Sequence, residues 1–524
     1  MFWVDRIADD IEKEYADAAP VIIRDEKTIS GRVHIGSLRG VAIHGLIAEV
    51  LGERGVPVEY LYEINDFDVM DGLPSYLDEE TYRPYMGRLL KDVPAPDGSE
   101  QSYADYFAAE FKAAIEKAGF APKYYTGTEL YTSGKMDPYI RLALENADKI
   151  RGIYKKVSGS TKPDDWLPLN VVCENCGKVG TTKATSFDGE QVSYVCQEHG
   201  VEWATGCGHE GSVSPFGGNA KLPWKPEWAA KWGALGVQVE GAGKDHSTRG
   251  GARDVANHIA REVFDIAIPY DVPYEFFLVG GKKMSSSKGS GSTAHEVSEL
   301  FPTEVFRLAL LGKDINQQIN FEPEGETVPV LYDQYDRLAD LYEEGVADDF
   351  TRLYSLVHIG AAREHPPKRY RPRFSQVAYM LQMPHVNMHH ETEEAKGAPL
   401  EGADVEVLEE RGMYARHWLT TYAPERYKFD IQESLPAQAK DLTDIQKDAL
   451  RKLHAYVTSV AALEGQELHT QLHAIKEESG IAPKDFFQAI YLIFLGKESG
   501  PKAGWFLSVM DKDFVEQRLA EAIA

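Results

Sequence analysis

The sequence predicts an α/β body that is interrupted by a β-rich insertion and followed by a helical region. Strand and helix signals alternate at first, helical periodicity disappears between about 153 and 235, and helical periods dominate after about 291. An α/β pattern that gives way to helices indicates separate domains, and at about 150 residues per domain 524 residues make three or four. The predicted divisions are 1–152 and 236–290 for the two halves of the body, 153–235 for the insertion, 291–350 for a helical linker and 351–524 for the helical C-terminal domain.

The first 65 residues predict the parallel sheet of the body. Residues 20–24 form an apolar strand, a glycine-containing turn follows at 30–32, an apolar-periodic helix runs from 35 to 51, and a second strand covers 56–64. Strand, turn, helix and strand in this order make a βαβ unit of the Rossmann type, which binds ligands at the carboxyl ends of its strands. Asp66, Asp68 and Asp71 follow the second strand at that edge.

The composition is that of a soluble globular protein, with 43 % hydrophobic and 27 % charged residues. No run reaches the roughly 18 apolar residues that a membrane span needs, and the first ten residues lack a signal-peptide profile. Four cysteines in 524 residues do not make a secreted disulfide scaffold. We therefore expect a cytoplasmic protein with no membrane partner. Its net charge of −27, from 56 Lys and Arg against 83 Asp and Glu, argues against non-specific binding of nucleic acid.

The first chemical motif is Gly31-Arg-Val-His34-Ile-Gly36-Ser37, which follows a strand and opens a helix. A helix start presents unpaired N–H groups and a positive dipole end to phosphates. Gly36 lets a nucleotide approach the backbone, and His34 can donate a hydrogen bond as negative charge develops on a phosphate. Taken alone, the pattern also fits a capped helix start with an incidental histidine.

The second motif, Gly280-Gly-Lys-Lys283-Met-Ser-Ser-Ser-Lys288-Gly289, follows a strand predicted at 275–279. Its hydroxyl groups and lysines supply donors for a polyphosphate, and its glycines favour a mobile loop. The simpler interpretation is a solvated basic linker. The two motifs together, on two halves of one sheet, are far more specific than either alone.

The cysteines form the third constellation. Cys173 and Cys176 have the two-residue spacing of a zinc knuckle, and Cys196 and Cys207 follow in the same insertion. In a cytosolic protein this pattern predicts a tetrahedral, closed and therefore structural zinc site of four thiolates. His199 could replace one thiolate, because Cys196 and His199 also have knuckle spacing, and unpaired structural thiols are the remaining alternative.

A fourth feature is the basic and aromatic segment 366–374, with Lys368, Arg369, Arg371 and Arg373 beside aromatic rings. Such a segment can hold a phosphate backbone and stack on unpaired bases. A solvated loop between helices is the alternative interpretation.

Taken together, the two phosphate motifs resemble the HIGH and KMSKS signatures of class I aminoacyl-tRNA synthetases. Within that class the sequence is most similar to the class I lysyl-tRNA synthetases, typical of archaea and some bacteria. The resemblance runs through 28–36, 218–228, 243–246, 273–276, 281–289 and 495–507. It implies an ATP-dependent enzyme that uses Mg²⁺, forms lysyl-adenylate and transfers lysine to tRNA-Lys. The helical C-terminal domain would then bind the anticodon, and we expect a monomer.

The resemblance also implies roles for individual residues. Catalytic roles fall to His34, Gly36, Lys283 and Lys288. ATP binding falls to Ser30, Gly31, His34, Gly36, Ser37, Gly243, Lys283, Met284, Ser285, Ser286 and Ser287. Lysine binding falls to Thr28, Trp224, His246 and Tyr274. A glutamyl-tRNA synthetase or another class I synthetase, and an RNA-binding relative without charging activity, remain the alternatives.

Selection of lysine requires a partner for its ε-ammonium, because an unpaired buried charge is costly. Asp66, Asp68 and Glu240 are candidates by their position at strand ends, although each also fits a solvated or capping carboxylate. Glu26 stands where the family usually has glycine, and is a further candidate.

Overall fold

The computed structural model describes residues 1–282, 284, 292–383, 386–500 and 502–524. These residues form two compact units. The α/β unit comprises 1–321 and 345–366, and the helical unit comprises 322–344 and 367–524.

A five-stranded parallel sheet is the centre of the α/β unit, with the strand order β10-β9-β1-β2-β3. Strand β1 pairs with β2 along its whole length, from Val21 opposite Val58 to Thr28 opposite Asn65. The chain crosses from β1 to β2 on one side and returns to β9 on the other, so the carboxyl ends of β1 and β9 flank a topological switch point. The strands are β1 Val21–Thr28, β2 Val58–Asn65, β3 Lys123–Thr126, β4 Asn170–Val171, β5 Thr182–Phe187, β6 Val192–Cys196, β7 Glu210–Val213, β8 Ala220–Lys221, β9 Val239–Gly243, β10 Tyr270–Tyr274, β11 Phe277–Val279 and β12 Ile319–Phe321.

Helices cover the sheet and make up most of the second unit; α13 and α16 to α23 belong to the helical unit. The sequence prediction of an α/β body and a helical end is confirmed. The helices are α1 Trp3–Glu14, α2 Leu38–Glu53, α3 Glu79–Tyr82, α4 Tyr103–Lys117, α5 Gly127–Thr132, α6 Asp137–Glu145, α7 Ala147–Ile153, α8 Trp224–Leu235, α9 Lys244–Ser247, α10 Ala252–Ile259, α11 Ala294–Ser298, α12 Thr303–Leu311, α13 Thr327–Glu343, α14 Asp349–Val357, α15 Ala361–Glu364, α16 Phe374–Met380, α17 Met388–Lys396, α18 Gly402–Thr421, α19 Asp444–Ser459, α20 Gly465–Ser479, α21 Pro483–Leu495, α22 Ala503–Ser508 and α23 Lys512–Ile523.

Helix α2 is the core helix of the α/β unit and packs against β1, β2 and β9. Among the described residues, the segment Ile35–Glu53 is the one helix long and apolar enough to span a membrane by length and composition. Its most apolar window is 72 % buried inside the unit, as expected of a core helix. The ring of Phe120 can pack against this helix because residue 45 is glycine; a Cβ at Gly45 would come within 2.4 Å of a ring carbon of Phe120.

The insertion contains two small antiparallel sheets, β4-β8 and β5-β6-β7. The absence of helical periodicity between about 153 and 235 predicts no helix there, and this is wrong for α8. Trp228 and Trp232 are buried one helical turn apart, but Glu227 and Lys231 are buried as well, at 2 % and 1 % exposure. Buried charges interrupt the apolar stripe from which helices are recognised.

The helical unit has its own hydrophobic core, built chiefly from α19 to α23. Helix α19 begins with a capping box between Thr443 and Gln446, and α20 and α21 end at Gly480 and Gly496 with positive φ. These local signals fix where α19 begins and where α20 and α21 end.

Candidate active site

The first motif forms a tight turn between β1 and α2. Residues Ile35–Ser37 are one 3₁₀ turn that leads into the helix, and His34 precedes it in extended conformation. A Cβ on Gly36 would lie 3.0 Å from Nδ1 of His34 and 3.1 Å from the carbonyl oxygen of Phe277. Glycine is therefore required for the close approach of this turn to β11.

Strand β11 leads directly into the second motif, so the fold brings the beginnings of the two motifs together. Thr293, just beyond that motif in the sequence, forms a backbone bridge with His34, and the N–H of Ile35 donates to the carbonyl of Ser292 at 3.1 Å. Met284 is buried. Lys283, Ser285, Ser286, Ser287 and Lys288 lie outside the described residues, so their predicted contacts stay predictions.

The residues predicted to bind lysine lie at the carboxyl edge of the sheet and on the helix beside it. Thr28 ends β1, and Tyr274, the last residue of β10, pairs with Gly243 of β9. Trp224 is 46 % exposed and stacks on Trp228 at 6.0 Å, while the ring of His246 meets Trp224 edge-on at 5.1 Å. The result is an aromatic wall beside the strand ends, which is where open α/β sheets bind ligands.

Beneath this edge lies a buried ionic network that sequence reasoning missed. Arg24 is fully buried; its guanidinium donates to Glu240 at 2.6 Å and to Glu63 at 2.5 Å, and it also contacts Glu26. Lys231, 1 % exposed, lies 2.8 Å from Glu63 and 2.9 Å from Glu26. Burial alone would raise the pKa of Glu26, but Lys231 and Arg24 hold it well below its usual value. The network therefore joins β1, β2, β9 and α8 to one another beneath the carboxyl edge of the sheet.

These contacts define the environments of the candidate carboxylates. Glu240 accepts hydrogen bonds from the indole N–H groups of Trp228 and Trp232 in addition to Arg24. Asp66 accepts from the N–H and hydroxyl of Thr128, at the start of α5.

Asp68 accepts from the hydroxyl of Thr28 at 3.0 Å, and the ammonium of Lys221 lies 3.8 Å from its other oxygen. Each of these three carboxylates, like Glu26, thus has polar partners within the protein.

The four cysteines of the insertion form one cluster. Their sulfur atoms all lie within 4.8 Å of one another, with 3.6 Å between Cys173 and Cys207 and 3.7 Å between Cys176 and Cys196. Thiolates arranged tetrahedrally at about 2.3 Å from zinc would lie about 3.8 Å apart, so the donor set fits this metal. In the part of the chain that the structure describes, His199 is not a member of this group.

The basic segment lies in the helical unit, beside a groove of about 600 Å³ that Lys368, Arg369 and Arg371 help to line. Arg371 is 10 % exposed and bonds Asp340 and Glu343 of α13, both at 2.9 Å. Arg373 is 62 % exposed and pairs with Asp333 at 2.6 Å. Arg371 therefore ties the segment to α13, whereas Lys368 and Arg369 have no carboxylate within 4 Å among the described residues.

Comparisons with known proteins agree with this architecture. A family model described as tRNA synthetases class I (K) matches residues 1–363, and a model described as an anticodon binding domain matches 392–523. The chain is thus a class I tRNA synthetase with an anticodon-binding domain.

Relatives identify the branch of that class. The chain is 32 % identical to a lysine–tRNA ligase of Methanosarcina barkeri over 543 residues, covering 99 % of this chain and 97 % of that protein. It is 32 % identical to a lysine–tRNA ligase of Methanocaldococcus jannaschii, covering 99 % of both chains, and 31 % identical to that of Archaeoglobus fulgidus over the full length of both. The chain belongs to the class I lysine–tRNA ligase family.

Proposed function

We propose that the protein ligates L-lysine to tRNA-Lys in two steps, first forming lysyl-adenylate from lysine and ATP and then transferring the lysyl group to the tRNA. The observation that carries the proposal is the meeting of the first motif, at the start of α2, with the strand that leads into the second motif. This meeting occurs at the carboxyl edge of the sheet, beside Thr28, Tyr274 and the Trp224–His246 wall.

Several residues have assigned parts in adenylate formation. His34 and the N–H of Gly36 hold the phosphates at the positive end of α2, with Ser30, Gly31 and Ser37 beside them. Lys283, with Lys288, stabilises the charge that develops on the departing pyrophosphate, and Met284, Ser285, Ser286, Ser287 and Gly243 complete the ATP site. Mg²⁺ supplies further charge neutralisation on the phosphate oxygens. The protein acts as a monomer in the cytoplasm.

The decisive experiment is a charging panel. Purified protein is incubated with ATP, total tRNA and each amino acid in turn, and attachment of the amino acid to tRNA is measured. In parallel, ATP–pyrophosphate exchange is measured with and without tRNA. Lysine should be attached to tRNA-Lys, and omission of ATP should abolish attachment. Charging of glutamate instead would identify a glutamyl enzyme. Tight tRNA binding without any charging would identify an RNA-binding relative.

The role of Lys283 has its own test. Lys283→Ala should slow adenylate formation by at least about 100-fold, because a positioned cation in the transition state is lost, and should leave tRNA binding unchanged. The matched control is Lys282→Ala, which removes the neighbouring, exposed lysine. Equal activity of the two variants would contradict the role given to Lys283.

The cysteine cluster is proposed to hold one structural zinc ion through Cys173, Cys176, Cys196 and Cys207. Metal binding would cross-link the segment between β4 and β5, the end of β6 and the segment between β6 and β7, so Cys173→Ser should lower both the zinc content and the melting temperature. Elemental analysis should find about one zinc per chain. His199→Ala is the control and should keep its zinc; loss of zinc there would make His199 a ligand instead.

The predicted tRNA contacts remain part of this proposal. Lys368 and Arg369 are best placed to meet phosphates, because among the described residues neither forms an ion pair within 4 Å. Arg373 is exposed but shares its charge with Asp333. Arg371 would act mainly by holding the segment against α13.

A further inference from the structure

Two lysines of the insertion have no acidic partner, in a chain whose acidic residues outnumber its basic residues by 83 to 56. Lys183, in the same insertion, is paired with Asp165 at 2.6 Å. Lys162 and Lys225 differ from it: among the described residues neither ammonium forms an ion pair within 4 Å or donates a hydrogen bond to a protein oxygen. Cations that so acidic a chain leaves unpaired are available to an external anion.

Both ammonium groups lie over the ring of Tyr154. The Nζ of Lys162 is 5.0 Å from the ring centroid, and the Nζ of Lys225 is 5.2 Å from it. Lys162 also lies 5.5 Å from the ring centroid of Trp166, which meets Tyr154 edge-on at 5.8 Å. Contact with an aromatic face holds a cation in place but does not neutralise its charge. The two charges are therefore close enough to contact the same phosphate or successive phosphates of one strand.

The two charges also oppose one another. Partial burial lowers the pKa of Lys225, and the positive charge of Lys162 lowers it further. In the described part of the chain, no ion pair relieves this repulsion. An anion that contacts both ammonium groups would relieve it, and the oxygens of a phosphate accept charge-assisted hydrogen bonds from lysine.

The pair borders the proposed lysine site. Lys225 directly follows Trp224 at the start of α8, and the exposed ring of Trp224 meets His246 in the aromatic wall. Residues Tyr154–Ser158 form a π-helical turn, and a Cβ on Gly250 would lie 3.1 Å from a carbonyl oxygen of this turn. The ring that carries both lysines therefore belongs to a turn that packs against the segment just beyond His246.

We propose that Lys162 and Lys225 bind phosphates of the unpaired 3′ end of the tRNA when it enters the site to accept the lysyl group. This inference rests on the proposed lysine–tRNA ligase activity. In its second step a ribose hydroxyl of the terminal nucleotide attacks the lysyl carbonyl, and AMP and a proton are released. The part of the tRNA beside the lysine site during this step is thus its 3′ end. The partly exposed ring of Trp166 offers a surface on which an unpaired base stacks.

The test measures the Kd of the full-length protein for tRNA-Lys and its dependence on salt. Lys162→Gln and Lys225→Gln should each raise this Kd about 10-fold at low salt, because a charge-assisted hydrogen bond to a phosphate is lost. Each should also reduce the slope of log Kd against log salt concentration by about 0.7, the value for one phosphate of a single strand. A tRNA-Lys that lacks its unpaired 3′ end should bind equally well to the variants and to the wild type.

Two control variants separate the charge from its surroundings. Lys183→Gln removes a lysine of the same insertion that is already paired with Asp165, and it should change neither the Kd nor the slope. Lys225→Arg keeps the charge and should keep both values near those of the wild type. If Lys225→Arg loses as much affinity as Lys225→Gln, the lysine has a packing role and the proposal is overturned.

Three other results would also overturn it. The first is an unchanged salt slope in both glutamine variants. The second is equal weakening for intact and truncated tRNA, which would place the contact elsewhere on the tRNA. The third is a higher KM for lysine with an unchanged Kd for tRNA-Lys, which would assign the pair to the amino-acid site. A wild type that binds tRNA-Lys through the pair but charges no lysine would instead refute the proposed function.

Discussion

Replacing Lys231 by methionine should strongly destabilise the α/β unit. Methionine has a similar length and keeps the apolar contacts of the stem, but it removes an ammonium that lies 2.8 Å from Glu63 and 2.9 Å from Glu26. At 1 % exposure the lysine is screened very little, and at an effective dielectric constant of about 20 each contact is worth about 6 kcal/mol before desolvation. Removing one partner of such a buried group typically costs about 3–5 kcal/mol, and we expect a loss in this range.

The measurement is urea unfolding followed by tryptophan fluorescence, because Trp228 and Trp232 lie beside the network. With a slope of about 3 kcal/mol per M, the transition of the α/β unit should move down by about 1–2 M. Lys123→Met is the matched control, because Lys123 also pairs with a glutamate, Glu59, at 2.5 Å but its side chain is 70 % exposed.

An exposed pair contributes less than about 1 kcal/mol, so the control should move the midpoint by less than about 0.3 M. Equal shifts in the two variants would refute the reasoning that burial makes the network indispensable. The double variant Lys231→Met with Glu63→Gln should recover part of the loss, since it removes one of the three carboxylates that Arg24 alone would then have to compensate.

Two further predictions concern a titration and a packing contact. The Lys396 ammonium and two backbone N–H groups hold the pKa of Asp404 down to about 2, so its contribution to the helical unit is complete above about pH 4 and is lost as the pH falls through 2. In urea unfolding at several pH values, Asp404→Asn should be less stable than the wild type by a constant amount above about pH 4, and the difference should shrink below it; a difference independent of pH would contradict this assignment. Gly45→Ala should destabilise the α/β unit by about 1–3 kcal/mol because its methyl group would come within 2.4 Å of the Phe120 ring. Gly52→Ala on the same helix places its methyl group in open space and should be neutral or stabilising by up to about 1 kcal/mol. Thermal melts of the two variants check this, and a similar loss of stability in both would contradict the packing argument.

Local chemistry explains what could be predicted from the sequence. The βαβ unit is recognisable because the strand at 21–28 begins with an apolar run, the strand at 58–65 is rich in aliphatic and aromatic residues, and the intervening helix is apolar-periodic. The cysteine cluster is predictable because Cys173 and Cys176 lie in one knuckle and the other two thiols follow in the same insertion. Both signals depend on residues that are close in sequence.

The ionic network could not be predicted in this way. Arg24 reads as the polar end of an apolar strand, and Lys231 as an exposed position on a helix that itself escapes prediction. Their carboxylate partners come from three strands, and Glu240 is joined to Arg24 only by tertiary folding. Each charge alone argues against burial, and only their mutual compensation permits it.

The position of β1 in the sheet has a consequence for synthesis of the chain on the ribosome. Strand β1 gains β2 early, but its other neighbour, β9, begins only at Val239, after the whole insertion. Because the ribosome adds about 5–20 residues per second, the edge of β1 and the apolar face of α2 stay exposed for on the order of ten seconds or more before β9 is synthesised. Exposed strand edges and apolar surfaces are sites of aggregation. We therefore expect the nascent chain to depend on chaperones until β9 docks and brings Glu240 to Arg24.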